Sequence, residues 1–219
     1  MMNGYCMPDS QQLKIEFSSL IKELKAAKLY FSFYQKLVEA KKGKDLLDSY
    51  GFWDHTISSY AISTFACLCR VYDNYPKKPK AFHLSKFVKD VKTINKEKWA
   101  EKWKDKTERA KLYADLKFLR SGQQVLKLRE WRNNVICHRN QELLLGGKGG
   151  FFKKNGFDEK EINELIESGF LILKNWASIY ESDFDKWIVE IHRANAQEEA
   201  DIPLVLAALR SFRDKQSQV

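Results

Sequence analysis

One segment of this chain is crowded with groups able to act on a phosphate. In LKLREWRNNVICHRN, from Leu126 to Asn140, the residues Arg129, Arg132, Asn133, Asn134, His138 and Arg139 interrupt an apolar helical face. A guanidinium is a permanent cation with a planar fork of donors suited to phosphate oxygens. An imidazole is the side chain able to exchange a proton near neutral pH. Together they are the minimum for cleaving a phosphodiester whose neighbouring ribose 2′-hydroxyl is the nucleophile. That reaction needs a proton acceptor, a positive group against the developing phosphorane charge, and in-line placement. It requires neither metal nor other cofactor, and it acts on RNA rather than DNA.

Spacing complicates the pairing. Arg132 and His138 are six residues apart, about 240° around an ideal helix, whereas Asn134 and His138, four apart, share a side. Bringing the first two onto one phosphate requires a long arginine reach, a local bulge, or a second copy of the helix from another subunit. The last of these, a homodimer, is the arrangement we favour. In the bland alternative every residue is purely structural, with Arg132 paired to a neighbouring helix, Asn134 solvated, and His138 meeting a helix C-terminal dipole.

Other chemistries fare worse. Cys67 and Cys69 are two apart on a helix, so their side chains diverge by about 200°, and no ligand pair follows at zinc spacing. The GGKGG run at 146–150 lacks the Gly-Lys-Ser/Thr order of a phosphate loop and a strand before it. No Gly-x-Ser-x-Gly elbow occurs, and Cys137 beside His138 does not make a nucleophile and base through adjacency alone.

The elements that must position the segment read as helices. Apolar residues from Ser10 to Lys44 recur at three and four, with Gly43 as the stop. A second helix spans about Asp45 to Asp73, with a stripe wide enough for a central helix. NYPKKPK, from Asn74 to Lys80, reads as a solvated basic loop. A short helix covers His83 to Lys92, and Asn95 stands as the cap of a heavily charged helix through Trp99, Trp103, Ala110, Tyr113 and Leu116. Ser121 is then placed to cap the motif helix carrying Val125, Leu128, Trp131 and Val135. A further helical region runs from Asp158 to about Ala194 with a break near Tyr180, and a last helix from Pro203 to Phe212.

Composition bounds the rest. A chain of 219 residues can bury a full core without staples, and only 10 Gly and 4 Pro leave little turn chemistry for many short strands. All-α is the expected class, in a single helical domain over 1–219. Lys plus Arg number 38 against 29 Asp plus Glu, a net charge of +9 that favours polyanions. Lysine clusters at Lys41, Lys42 and Lys44, at Lys77, Lys78 and Lys80, at Lys86, Lys89 and Lys92, and at Lys153 and Lys154 permit RNA binding, although most such runs are solvated faces. The start lacks a secretory pattern and no run approaches the length needed to span a bilayer, so cytoplasmic residence with free thiols is expected and no membrane partner.

The segment from Arg132 and Asn133 to His138 resembles the Arg-polar-x(3–4)-x-His signature of HEPN domains. The upstream FWDHTISSYAISTFACLCRVYDNYPKKP, Phe52 to Pro79, is similar to the AbiU-type abortive-infection branch of that family, and the resemblance covers roughly Ser10 to Ser182. It implies an antiparallel helical bundle with additional flanking helices, paired about a two-fold axis, with residues 183–219 as a C-terminal helical extension. It further implies a metal-independent endoribonuclease in which Arg132 holds the scissile phosphate and His138 shuttles the proton or positions the 2′-hydroxyl. Asn133 would assist, and Arg129, Asn134 and Arg139 would contact RNA. Products would end in a 2′,3′-cyclic phosphate and a 5′-hydroxyl. The implied role is a toxin or antiphage defence effector acting on tRNA or other single-stranded RNA, with an antitoxin or companion such as a nucleotidyltransferase. Many relatives are instead non-catalytic modules that bind nucleotide, RNA or protein. The tyrosine that follows the histidine in members silenced by adenylylation is absent, since Arg139, Asn140 and Gln141 stand there.

Overall fold

Hydrophobic residues spaced at three and four drive the first helix, α1, from Ser10 to Lys42, which buries Leu13, Phe17, Leu20, Ile21, Leu24, Ala27, Phe31, Leu37 and Ala40 along one face. Gly43 turns the chain out, as its sequence position suggests. The computed structural model describes residues 10–43, 51–73, 82–133 and 156–180. Seven helices and no strand occur among the described residues, so the all-α expectation holds.

Helix α2 runs from Phe52 to Tyr72 and lies along α1. Its start differs from expectation: Gly51 sits in the left-handed region at φ 83°, a conformation that favours glycine, and the helix begins after it. Helix α3, Leu84 to Ile94, starts behind His83, whose imidazole caps it. The charged stretch that follows is two helices. Helix α4, Lys96 to Lys104, buries no residue fully, and α5 spans Lys106 to Ser121. Asp105 divides them because its carboxylate accepts the backbone N–H groups of Thr107 and Glu108, at 2.7 and 2.9 Å, satisfying donors that a continuous helix would have paired internally. Asn95 precedes α4, but its side chain makes no capping bond.

Ser121 is also placed differently from expectation. Its hydroxyl donates back to the Lys117 carbonyl at 3.1 Å, which makes it the last residue of α5, and Gly122 takes the position before α6, Gln123 to Trp131. The seventh helix, α7, extends from Glu159 to Tyr180. It packs against each of the other six helices, so α7 rather than α2 is the hub. Its composition explains this: Ile162, Leu165, Ile166, Phe170, Ile172, Leu173, Trp176, Ala177 and Ile179 are buried along most of its circumference. Gly169 permits the close crossing with α1, since a methyl there would stand 2.6 Å from a Leu24 methyl and 3.1 Å from the Tyr72 hydroxyl.

Several polar groups inside this core have named partners. Trp176 is fully buried, and its indole N–H donates to Asp115 Oδ2 at 3.1 Å, as does the Asn175 amide. Lys86, expected on a solvated basic face, instead pairs with the buried Glu16 and with Asp90. No helix among the described residues is long and apolar enough to cross a membrane.

Candidate functional site

Helix α6 is held by its apolar side. Val125 and Leu128 are buried, and the Trp131 ring stacks on Phe65 of α2 with centroids 4.7 Å apart and planes 14° from parallel. The end of α6 is thereby fixed against α2, two turns before that helix ends. At Arg132 and Asn133 the backbone widens into a π-type turn, and the Arg132 N–H is shared between the carbonyls of Leu128 and Arg129. A local bulge is one of the routes by which the motif residues can converge, and such features mark functional positions in helices.

The Arg132 guanidinium has two acceptor residues among the described residues. Nη1 donates to Oδ1 of Asp73, while Nε and Nη2 donate to the Asn133 side-chain oxygen at 3.1 and 2.9 Å. The two residues that share the motif's first positions are therefore bonded to each other. The arginine and aspartate side chains are 18% and 25% exposed, so the pair lies at the rim of the bundle.

Arg129, one turn earlier, is oriented the other way. Its Nη2 donates to the Leu119 carbonyl at 2.8 Å and Nη1 reaches the Arg120 carbonyl at 3.5 Å, which satisfies acceptors at the C-terminal end of α5 and meets the negative end of its dipole. Burial, followed by the neighbouring Arg132 charge, lowers the Arg129 pKa from its ordinary value, and Asp73 opposes this. The guanidinium expected to contact RNA is thus committed to joining α5 and α6.

A fifth polar residue belongs to the same cluster. His83 is 8% exposed, and its Nδ1 accepts the Lys86 backbone N–H at 3.2 Å, which fixes the proton of the neutral ring on Nε2. Burial holds its pKa below the usual histidine value, with the Asp73 charge acting against the shift and Arg129 acting with it. Asp73 therefore lies within electrostatic range of Arg132, Arg129 and His83, from the end of α6 and the start of α3. His83 does not stand out in the sequence; Asp73 closes the Cys69–Asp73 run of the segment that carries the family resemblance, just ahead of the prolines at 76 and 79, although nothing in that run marks it as a partner of Arg132. A crease lined by Cys69, Tyr72, Asp73, Leu128, Arg129 and Arg132 marks this junction of α2 and α6.

Asn134, His138 and Arg139 lie outside the described residues, as do the 74–80 and 146–150 segments, Cys137 and the chain beyond Tyr180. Of the six expected site residues, Arg129, Arg132 and Asn133 are described. Cys67 and Cys69 are buried thiols that form no disulfide with one another, and desolvation raises Cys67 to about 11, which makes it an inert thiol at neutral pH. No group of three or more His, Cys, Asp or Glu residues among those described is arranged to hold a metal ion.

The described residues form a bundle of helices, with an arginine and its adjacent amide at the end of one of them, an arrangement consistent with the HEPN class of all-helical domains. The chain belongs to the AbiU2 family of HEPN-type abortive-infection domains, whose family model, HEPN_AbiU2, matches residues 10–201. The match reaches past Ser182, the limit read from the sequence. No curated protein and no solved structure matches the chain.

Proposed function

We propose that the protein is a metal-independent endoribonuclease of HEPN type that serves as a toxin or antiphage effector. Two copies assemble a composite site at their interface, where a 2′-hydroxyl attacks the adjacent phosphorus. The observation that carries this reading is the Arg132–Asn133 pair, bonded together at a widened turn at the solvent rim, in a chain of the AbiU2 family. Arg132 neutralises the charge that builds on the phosphorane oxygens, and Asn133 aligns the guanidinium by accepting two of its hydrogen bonds. His138 exchanges the proton with the 2′-hydroxyl or the leaving 5′-oxygen. The substrate is tRNA or other single-stranded RNA, and an antitoxin or companion such as a nucleotidyltransferase restrains the activity.

Purified protein is expected to cut RNA in excess EDTA, leaving a 2′,3′-cyclic phosphate and a 5′-hydroxyl. Arg132→Ala and His138→Ala each lower the cleavage rate by at least about 10²-fold with helicity and subunit assembly unchanged, as expected for losing a group that acts in the transition state. Wild-type rates in both variants would end the assignment. The second reading, a non-catalytic module that binds nucleotide, RNA or protein, draws support from the engagement of Arg132 by Asp73 within the fold. It predicts RNA retention without any new product ends.

A further inference from the structure

Asp73 is a carboxylate in an unfavourable place for its own helix. It is the first residue past α2, with φ −59° and ψ 146°, at the end where the helix dipole is negative and an anion is repelled. Among the described residues, cations across the junction favour a negative charge there: Nη1 of Arg132 pairs with it directly, and the charge of Arg129 lies within range. The two cations are not equivalent. Arg129 is tied to the carbonyls of Leu119 and Arg120, whereas Arg132 stands past the last turn of α6 with its partner at the solvent rim. Two guanidinium groups therefore lie within electrostatic range of the Asp73 carboxylate, Arg132 in direct contact with it, beside His83. The direct contact is of the same charge-assisted kind that an RNA phosphate would make with that guanidinium.

We infer that Asp73 is an internal stand-in for phosphate: its carboxylate takes the Nη1 donor of Arg132 until it is displaced by the RNA phosphate that Arg132 then holds. The inference deepens the proposed function and rests on Arg132 being the phosphate-holding group. The exchange trades one charge-assisted hydrogen bond for another, so entry of RNA does not strand a cation and departure of product does not leave one bare. Asp73 thereby sets RNA affinity below what the arginine alone would give and raises the threshold against small stray anions.

The test is binding of an uncleavable 2′-O-methyl oligonucleotide to the full chain at low salt, read by fluorescence anisotropy. Asp73→Asn keeps the shape and removes the charge, and it is expected to tighten binding on the order of tenfold. In an Arg132→Ala background the same change should have no effect. Asp73→Ser, which cannot reach the guanidinium, should tighten binding likewise and guards against a folding defect in the first variant. Unchanged or weaker binding in variants with native circular dichroism and an unaltered unfolding midpoint would overturn the inference and make Asp73 a positioning residue for Arg132. Cleavage of unmodified RNA in EDTA is scored separately. Tighter binding without cleavage by any form keeps the stand-in and removes the ribonuclease, whereas cleavage with unaltered binding in Asp73→Asn does the reverse.

Discussion

Two aspartates show how differently one side chain is used in the two halves of this molecule. Asp115, in the packed half, is held by neutral donors, the Asn175 amide and the Trp176 indole N–H, with desolvation raising its pKa above the usual carboxylate value. Asp73, at the end of α2, is paired with a guanidinium at the solvent rim. The first geometry is over-determined by packing against a fully buried tryptophan and has nothing to exchange with. The second is a charge pair between groups at two helix ends, which a competing anion can open. At these two aspartates, neutral donors inside and a countercharge at the rim separate a group that holds the bundle together from one that can act.

Substitutions at the two sites should therefore fail in different ways. Trp176→Ala, the most severe in the packed half, is expected to cost about 3–5 kcal/mol in denaturant unfolding, from the cavity and from leaving Asp115 short of a donor. RNA affinity per folded molecule should stay unchanged. A large affinity loss in the folded fraction would break the separation. Gly169→Ala is expected to cost about 1–3 kcal/mol, because the added methyl must push aside Leu24 or the Tyr72 hydroxyl. Calorimetric midpoints would check it.

Asp115→Asn should act most mildly and through pH. A carboxyl whose folded pKa is raised binds its proton more tightly in the native state than when unfolded. Its contribution is then most favourable below the unfolded value and is lost as pH rises through the folded one. The asparagine variant should show a flatter fall in stability from ordinary carboxylate pH upwards. Wild type and variant must be compared directly, because burial raises Glu16 in the same direction. Parallel stability curves would show that Asp115 carries no such linkage.

The packed half is legible in the sequence wherever apolar periodicity runs uninterrupted. The α1 stripe and its Gly43 stop emerge from spacing alone, because a long helix repeats its signal over many turns. Caps are harder. Asp105 divides α4 from α5 through two backbone hydrogen bonds, and in a run dense with lysine and glutamate a single aspartate has no contrast. Ser121 has the right type for a cap, but the choice between capping forward and bonding back to Lys117 depends on local backbone angles that residue type does not encode. The hub role of α7 is hidden for another reason: a wide apolar stripe marks α2 and α7 alike, and which one touches every other helix is a matter of three-dimensional order.

At the candidate site, Arg132 and Asn133 are recognisable because their chemistry is rare on an apolar helix. Asp73 and His83 are not, since their relevance arises from contacts between elements: Asp73 and Arg132 are 59 positions apart. A carboxylate at a helix end and a histidine before a helix start each have an ordinary explanation until the third element arrives.

The residue just before Asp73 reaches into the middle of the bundle, where the Tyr72 hydroxyl donates to the Leu165 carbonyl of α7. The acid at the rim is therefore tethered, through one peptide bond, to the helix that every other described helix touches. Small displacements of α7 would be transmitted to the arginine's partner with little slack. A genetic screen for inactive alleles would return conservative changes in the interior of α7 beside changes in the cluster itself, and position in the fold alone would not tell the two apart.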